Sequence, residues 1–169
     1  MPFEIVRNDI VNMSVDAIVN TANPRPQIGY GVDAGIHRKA GPKLLEARKK
    51  IGKIRVGDAA ITPAFDLPAR YVIHTVGPMV QGDLTPRHCQ QLEACYRACL
   101  QVADEKNVDS IAFCCISTGV FMFPGDRAAE IAVRTVRRYL DETGSKMKVI
   151  FNVFREEDER IYRMLLGGD

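Results

Sequence analysis

The segment NTANPRPQIGYGVDAGIHRKAG, residues 20–41, decides how the rest of the chain is interpreted. The apolar run Ala17-Ile18-Val19 leads into it and predicts a buried strand. Prolines and closely spaced glycines then predict a loop, and Asp33 and His37 stand four residues apart in a helical pattern. The N–H groups and the dipole of a helix N-terminus bind phosphate. The segment therefore predicts a phosphate-binding loop with a carboxylate, Asp33, beside the bound group.

Length and composition are those of one globular domain. The chain has 169 residues, of which 46% are hydrophobic and 26% charged, and its formal net charge is +2. This balance disfavours nucleic acid as a partner. No apolar run approaches the roughly 20 residues of a membrane helix, and no signal-peptide pattern is visible. We therefore expect a single cytoplasmic domain over residues 1–169, without a membrane partner.

The cysteines and histidines do not form a metal-binding pattern. The five cysteines include no CxxC pair, and no set of spacings matches a tetrahedral zinc site. They are Cys89, Cys95, Cys99, Cys114 and Cys115. We expect reduced, buried thiols, no metal and no cofactor.

Strand and helix patterns alternate along most of the chain. Strands are predicted at 3–10, 16–20, 58–63, 70–76, 110–116 and 147–154. Helices are predicted from about 33 to 41 and at 43–50, 86–106, 126–144 and 156–166, with Asp126 as an N-cap. This order predicts an α/β fold, a three-layer α/β/α sandwich with a central mixed sheet.

A second strand-to-loop junction follows the apolar strand SIAFCCI, residues 110–116. Residues 117–126 then bring hydroxyl groups, glycine and aromatic side chains before the next helix. Ligands of open α/β sheets gather outside the carboxyl ends of the strands, so the two loops are expected to share a cleft. Two sets of backbone N–H groups suit a diphosphate. Residues 152–155 add an aromatic and a polar group at this rim, and Asp9 a carboxylate that could accept from an exocyclic amine.

Each of these signals also has a purely structural interpretation. Gly29-x-Gly31-x-x-x-Gly35 is not the GxGxxG of dinucleotide-binding folds, so its glycines could simply shape a turn. An acid such as Asp33 favours a helix start through the dipole alone. Four other side chains could belong to the core: His37, His74, Phe121 and Phe123.

Five motifs in one order carry a family resemblance. They are Asp9-Ile10, Asn20-Thr21-Ala22-Asn23, Gly29 to Gly41, His74-Thr75-Val76-Gly77-Pro78, and Ser117 to Pro124. They match GDI (with Asn8 for the glycine), N-A-A-N, a glycine-rich G-G-G-V-D-G-x-I-H-R-A-A-G, H-x-V-G-P and S-T-G-x-Y-x-x-P. Across nearly its whole length the chain resembles a macrodomain of the MacroD type.

The resemblance implies a pocket for ADP-ribose. Asp9 would accept from the adenine amine, Ile10 would donate its N–H, and Phe154 would pack on the base. The backbone of 31–33 and the loop 117–121 would hold the diphosphate and the distal ribose. The implied ligand-binding residues are Asp9, Ile10, Asn20, Gly31, Val32, His37, Ser117, Thr118, Gly119, Val120, Phe121 and Phe154.

The resemblance also implies a hydrolase with Asn23 and Asp33 as catalytic residues. Asn23 would orient the distal ribose, and Asp33 would position or activate the water. The substrates implied are ADP-ribose esters, either O-acetyl-ADP-ribose or ADP-ribosylated proteins modified on acidic side chains. A bound diphosphate would raise the basicity of Asp33, whereas helix N–H groups would lower it.

The chain departs from the family pattern in the same loop. Ile28 and Tyr30 stand where glycine is usual, residues 24–27 are unusual, and Phe121 replaces a tyrosine. Tyr30 would narrow the space around the distal ribose or stack on it. These departures leave a second class open, a non-catalytic ADP-ribose reader, whereas Asn23 and Asp33 favour the hydrolase.

Overall fold

A computed structural model of the protein describes residues 3–167; residues 1, 2, 168 and 169 of the expected domain lie outside them. The strands are β1 (Phe3–Arg7), β2 (Ala17–Thr21), β3 (Ala59–Pro63), β4 (Tyr71–Thr75), β5 (Ser110–Phe113) and β6 (Lys148–Val153). The α-helices are α1 (Val32–Ala40), α2 (Lys43–Ile51), α3 (Pro86–Glu105), α4 (Gly125–Thr143) and α5 (Glu156–Gly167). A short 3₁₀ turn, Ile10–Asn12, follows β1.

The sheet is mixed and has the strand order β1-β6-β5-β2-β4-β3. Neighbouring strands are parallel, except that β3 runs antiparallel to β4 at the edge. From β2 the chain continues to β3 and β4 on one side of the sheet, whereas from β5 it continues to β6 on the other side. A crevice therefore opens between the carboxyl ends of β2 and β5, where open α/β sheets bind ligands.

Helices cover both sides of the sheet, which confirms the predicted three-layer α/β class. Helix α1 packs on β2, α2 on β3, α3 on β3 and β4, and α5 on β1 and β6, while α4 packs on α3 and α5. Aromatic rings join the layers: Phe151 of β6 lies 5.0 Å from Tyr162 of α5, and Phe113 of β5 lies 4.9 Å from Tyr96 of α3, centroid to centroid. Within residues 3–167 no helix is long and apolar enough to span a membrane.

Three sequence predictions about elements are wrong. Strand β1 ends at Arg7 instead of Ile10, because Asp9 caps a 3₁₀ turn that begins at Ile10. Strand β5 ends at Phe113 instead of Ile116, because the chain turns away from β2 before Ser117, which has a positive φ of 67°. Helix α4 begins at Gly125 with Pro124 at the N-cap position and no side-chain cap. Asp126 lies in the first turn instead, where its charge is still favourable to the helix dipole.

Candidate functional site

The crevice at the carboxyl ends of the parallel strands is a cleft of about 820 Å³. Its walls are the loops that follow β1, β2, β4, β5 and β6, together with the first turn of α1. This volume lies within the roughly 300–1,000 Å³ of pockets that enclose small organic ligands. The cleft runs along the sheet edge, from the β1 and β6 loops at one end to the β2 and β4 loops at the other.

The first end holds Asp9, Ile10 and Phe154. Asp9 caps the 3₁₀ turn, since its Oδ1 accepts from Val11 N at 3.3 Å. Its Oδ2 has no partner among the described residues. Phe154 is 70% exposed although it is aromatic, so a face of its ring is free to stack on a flat ligand group.

The middle of the cleft lies between the start of α1 and the β5–α4 loop. Gly31 has φ +65° and ψ −126°, a conformation that only glycine adopts easily, and it opens α1. The N–H groups of Val32 and Asp33 lie in the first helical turn, so they have no acceptor within the helix. Across the cleft, the N–H groups of Gly119, Val120 and Phe121 make no hydrogen bond within residues 3–167. Both walls therefore present backbone donors to the same space.

Ser117 also lines this middle part, with Thr118 beside it. Ser117 is 2% exposed, and its Oγ has no partner among the described residues. Phe121 lines the cleft, whereas Phe123 is buried in the core. Of these two phenylalanines, only Phe123 therefore belongs to the core.

At the opposite end, Asn23 and Asp33 line the cleft on either side of Gly29. The N–H of Gly29 donates to Asp33 Oδ2 at 2.7 Å. A Cβ at position 29 would lie 2.8 Å from Asn23 Nδ2, closer than side chains pack. Glycine at position 29 therefore leaves room for the Asn23 amide on one side while its N–H holds the Asp33 carboxylate.

Asp33 is 2% exposed and hydrogen-bonded through both oxygens. Asn20 Nδ2 donates to Oδ1 at 2.6 Å, and His37 Nε2 lies 3.4 Å from the same oxygen. Burial alone would raise the pKa of Asp33, but the contacts with His37, Asn20 and the Gly29 N–H outweigh it, so the pKa is lowered. Asp33 is consequently an ionised, firmly held acceptor.

Asn20 and His37 lie behind Asp33 and are not among the residues that line the cleft, so their expected contact with a ligand stays a prediction. Asn20 Nδ2 also lies 3.1 Å from His74 Nδ1, and His74 Nε2 lies 3.0 Å from Thr62 Oγ1. Burial lowers the pKa of His74 to about 3, and the charge of Arg48 adds to this effect. A neutral His74 accepts from Asn20 at Nδ1 and donates from Nε2 to Thr62. The structural interpretation of His74 is confirmed.

The other predicted ligand-binding side chains and backbone groups do line the cleft: Asp9, Ile10, Gly31, Val32, Ser117, Thr118, Gly119, Val120, Phe121 and Phe154. Tyr30 stands at the rim and is 83% exposed, so in this structure it does not fill the space beside Asn23.

Arg48 is 0% exposed, and its burial was not predicted from the sequence. Its Nη2 donates to the carbonyl oxygen of Asn23 at 3.1 Å. The helical spacing does indicate an inward-facing side chain, because Arg48 stands four residues after the buried Leu44 and lies on the same face of α2.

The cysteines and acids of the described residues form no metal site. Within 3–167 no three His, Cys, Asp or Glu side chains are arranged to hold a metal ion. All five cysteines are free, and Cys95, Cys99 and Cys114 are buried, whereas Cys89 and Cys115 are partly exposed. Burial raises the pKa of the Cys114 thiol to about 12, so it stays protonated at neutral pH.

Comparisons with known proteins agree with this geometry. Residues 19–132 match the family model "Macro domain". The chain is 46% identical over 171 residues to "ADP-ribose glycohydrolase MACROD2" of Xenopus laevis, covering 96% of the chain and 41% of that protein. It is 47% identical over 171 residues to the "Protein-ADP-ribose hydrolase" of Treponema medium, covering 95% of the chain and 66% of that protein. The chain thus spans less than two thirds of either relative.

A solved structure has the same fold. The Trypanosoma brucei macrodomain in complex with ADP-ribose superposes with a TM-score of 0.91 at 37% identity, covering 98% of this chain and 69% of that one.

Proposed function

The chain belongs to the macrodomain family, and on that basis we propose that it is an ADP-ribose-binding hydrolase. It releases ADP-ribose from acidic side chains of modified proteins, deacetylates O-acetyl-ADP-ribose, or does both. Relatives at 46% and 47% identity carry the names ADP-ribose glycohydrolase and protein-ADP-ribose hydrolase, which supports this reaction class. A single domain over residues 1–169 and a cytoplasmic location are part of the proposal.

One observation carries the proposal: Asn23 and Asp33 face the same end of the cleft with Gly29 between them. Pure binding of a diphosphate needs backbone donors but neither of these side chains. An amide and an ionised carboxylate at one point supply what hydrolysis needs, a group that orients the sugar and an acceptor that orients water.

The ligand lies along the cleft in one direction. Asp9 accepts from the adenine amine, and the exposed ring of Phe154 stacks on the base. The N–H groups at the start of α1 and in the β5–α4 loop bind the diphosphate. The distal ribose and its acyl group then reach Asn23 and Asp33.

In the reaction, water attacks the ester linkage, and ADP-ribose and a free carboxylic acid leave. Asn23 orients the distal ribose. Because the pKa of Asp33 is lowered, this carboxylate is a weak base that mainly fixes the water by accepting a hydrogen bond. Its rate contribution comes from orientation of the attacking molecule.

A reader that binds ADP-ribose without cleaving it is the second candidate. The observation that favours it is that both oxygens of Asp33 already accept hydrogen bonds from the protein, Oδ1 from Asn20 and Oδ2 from Gly29.

Calorimetry with ADP-ribose and AMP, together with a single-turnover assay of O-acetyl-ADP-ribose, tests the proposal. We expect micromolar affinity for ADP-ribose, about −7 to −8 kcal/mol, and much weaker binding of AMP, which lacks the distal half. Turnover should persist in EDTA, because the mechanism uses no metal. Equal affinity for AMP and ADP-ribose would reject the two-loop site, and loss of turnover in EDTA with recovery in zinc would reject the metal-free mechanism.

A further inference from the structure

Arg48 is a buried cation with few partners. It is 0% exposed, and its one hydrogen bond within residues 3–167 joins Nη2 to Asn23 O at 3.1 Å. Its Nε and Nη1 have no partner among these residues. Burial lowers the pKa of Arg48, and the negative charge of Asp33 acts in the opposite direction. The guanidinium still carries its charge, since an arginine is not deprotonated in proteins.

Packing alone does not explain a charge at this position. Leu44 fills the inward face one turn earlier in α2, and an apolar side chain could do the same at position 48. Burying a guanidinium with one hydrogen bond costs folding free energy that an apolar side chain would not cost. The guanidinium provides something that an apolar side chain cannot, the hydrogen bond to the backbone carbonyl of Asn23.

The loop between β2 and α1 is fastened from two sides. On the outer side, α2 and the residues after it hold the loop through Arg48 to Asn23 O and through Ile54 N to Pro24 O at 2.9 Å. On the inner side, the Gly29 N–H holds it to Asp33. Asn23 lies where the two sets of contacts meet.

We propose that Arg48 is a positioning residue for hydrolysis, which fixes the backbone of Asn23 so that its side chain stays beside Asp33. Arg48 is not on the cleft wall, so it touches no substrate and acts through Asn23. This role rests on the proposed hydrolase function. A displacement of about 1 Å in a group that orients the substrate can lower a rate by about a hundredfold.

The test is a double-mutant cycle between Arg48 and Asn23. Arg48→Met keeps most of the side-chain volume without hydrogen-bonding, Arg48→Lys keeps the charge, and each is made alone and with Asn23→Ala. Single-turnover release from O-acetyl-ADP-ribose, affinity for ADP-ribose and Tm are measured for every protein. Lys49→Met is the control, because Lys49 is the next residue of α2 and is exposed.

We expect Arg48→Met to slow release about tenfold to a hundredfold while ADP-ribose affinity stays within about threefold. Arg48→Lys should recover much of the rate. In the Asn23→Ala background, Arg48→Met should change the rate less than about twofold, because the side chain that it positions is gone. Asn23→Ala keeps the carbonyl, so the loss of Tm should be the same in both backgrounds.

Other outcomes would overturn the proposal. Equal rate losses in both backgrounds would show that Arg48 does not act through the Asn23 side chain. If Arg48→Met does not fold, the same comparison is made with Arg48→Lys, and additive losses would again reject the role. A parent protein that binds ADP-ribose but releases nothing would reject the hydrolase, and this role of Arg48 with it. An active parent with additive variants would reject only the role of Arg48.

Discussion

At the scale of the residue, Asp33 shows how its surroundings decide the chemistry of a carboxylate. The sequence suggested two opposing influences, repulsion from a bound diphosphate and attraction to helix N–H groups. In the structure, burial raises the pKa of Asp33. The contacts with His37, Asn20 and the Gly29 N–H lower this pKa by more, so the net shift is downward. Asp33 is therefore ionised at neutral pH without a ligand, and in the proposed mechanism its contribution comes from its fixed position.

Tyr30 is the residue most suited to select the leaving group. It stands at the rim of the cleft that Asn23 and Asp33 line, and it is 83% exposed. Tyr30→Gly should change the ratio of release rates for an aspartyl ester and an acetyl ester by about fivefold or more, since one extra side-chain contact is worth about 1–3 kcal/mol. ADP-ribose affinity should stay within about threefold. Tyr30→Phe, which retains the ring, is the control, and an unchanged ratio in Tyr30→Gly would exclude contact with the leaving group.

At the scale of the element, the loops after β4 and β5 depend on each other. Val80 N donates to Phe121 O at 2.8 Å, which joins the β4–α3 loop to the β5–α4 loop. Gly77 lies so close to Ser117 that a Cβ would stand 1.9 Å from Ser117 Oγ and 2.9 Å from Ile116 Cγ2. Ser117 is buried and in the left-handed region, so it has little room to move.

Gly77→Ala should therefore separate the two loops and displace backbone donors of the proposed diphosphate site. We expect ADP-ribose affinity to fall about tenfold or more and the free energy of unfolding to fall by about 1–3 kcal/mol, as for other overpacked sites. Gly125→Ala is the control, because a Cβ there would meet Asp158 Oδ1 at an ordinary 3.7 Å. Unchanged affinity in Gly77→Ala, measured by calorimetry, would show that the loops bind independently.

At the scale of the whole molecule, local patterns predicted the layers and the cleft. Alternating strand and helix periods gave the α/β class, and the two loops after β2 and β5 were expected to meet at the sheet edge. The end of β5 could not be predicted, because Cys114–Ile116 are as apolar as the strand and only the turn at Ser117 ends it. The burial of Arg48 could not be predicted either, because it depends on contact with the β2–α1 loop, which is distant in sequence. Roles that require two distant segments to meet are not visible in either segment alone.

The buried network around His74 should make stability depend on pH. Its pKa is about 3 in the folded protein, whereas an unperturbed histidine has a pKa near 6.5. Between these values the unfolded chain binds more protons, so this contribution to stability is complete above about pH 6.5 and is lost as the pH falls. His74→Gln should lower the slope of unfolding free energy against pH by up to about 1.4 kcal/mol per pH unit in this window. Equal slopes in urea titrations from pH 4 to 7 would contradict a neutral, buried His74.

The central claim is that Asn23 and Asp33 make this macrodomain an enzyme. The most direct test measures single-turnover release from an ADP-ribosylated acidic side chain and calorimetric affinity for ADP-ribose on the same preparations of the parent and Asp33→Ala. We predict release by the parent well above the uncatalysed rate, a loss of at least about a hundredfold in Asp33→Ala, and affinity that falls by less than about tenfold, because the backbone donors remain. A parent that binds ADP-ribose but releases nothing above the uncatalysed rate, or equal losses of rate and affinity in Asp33→Ala, would contradict the claim.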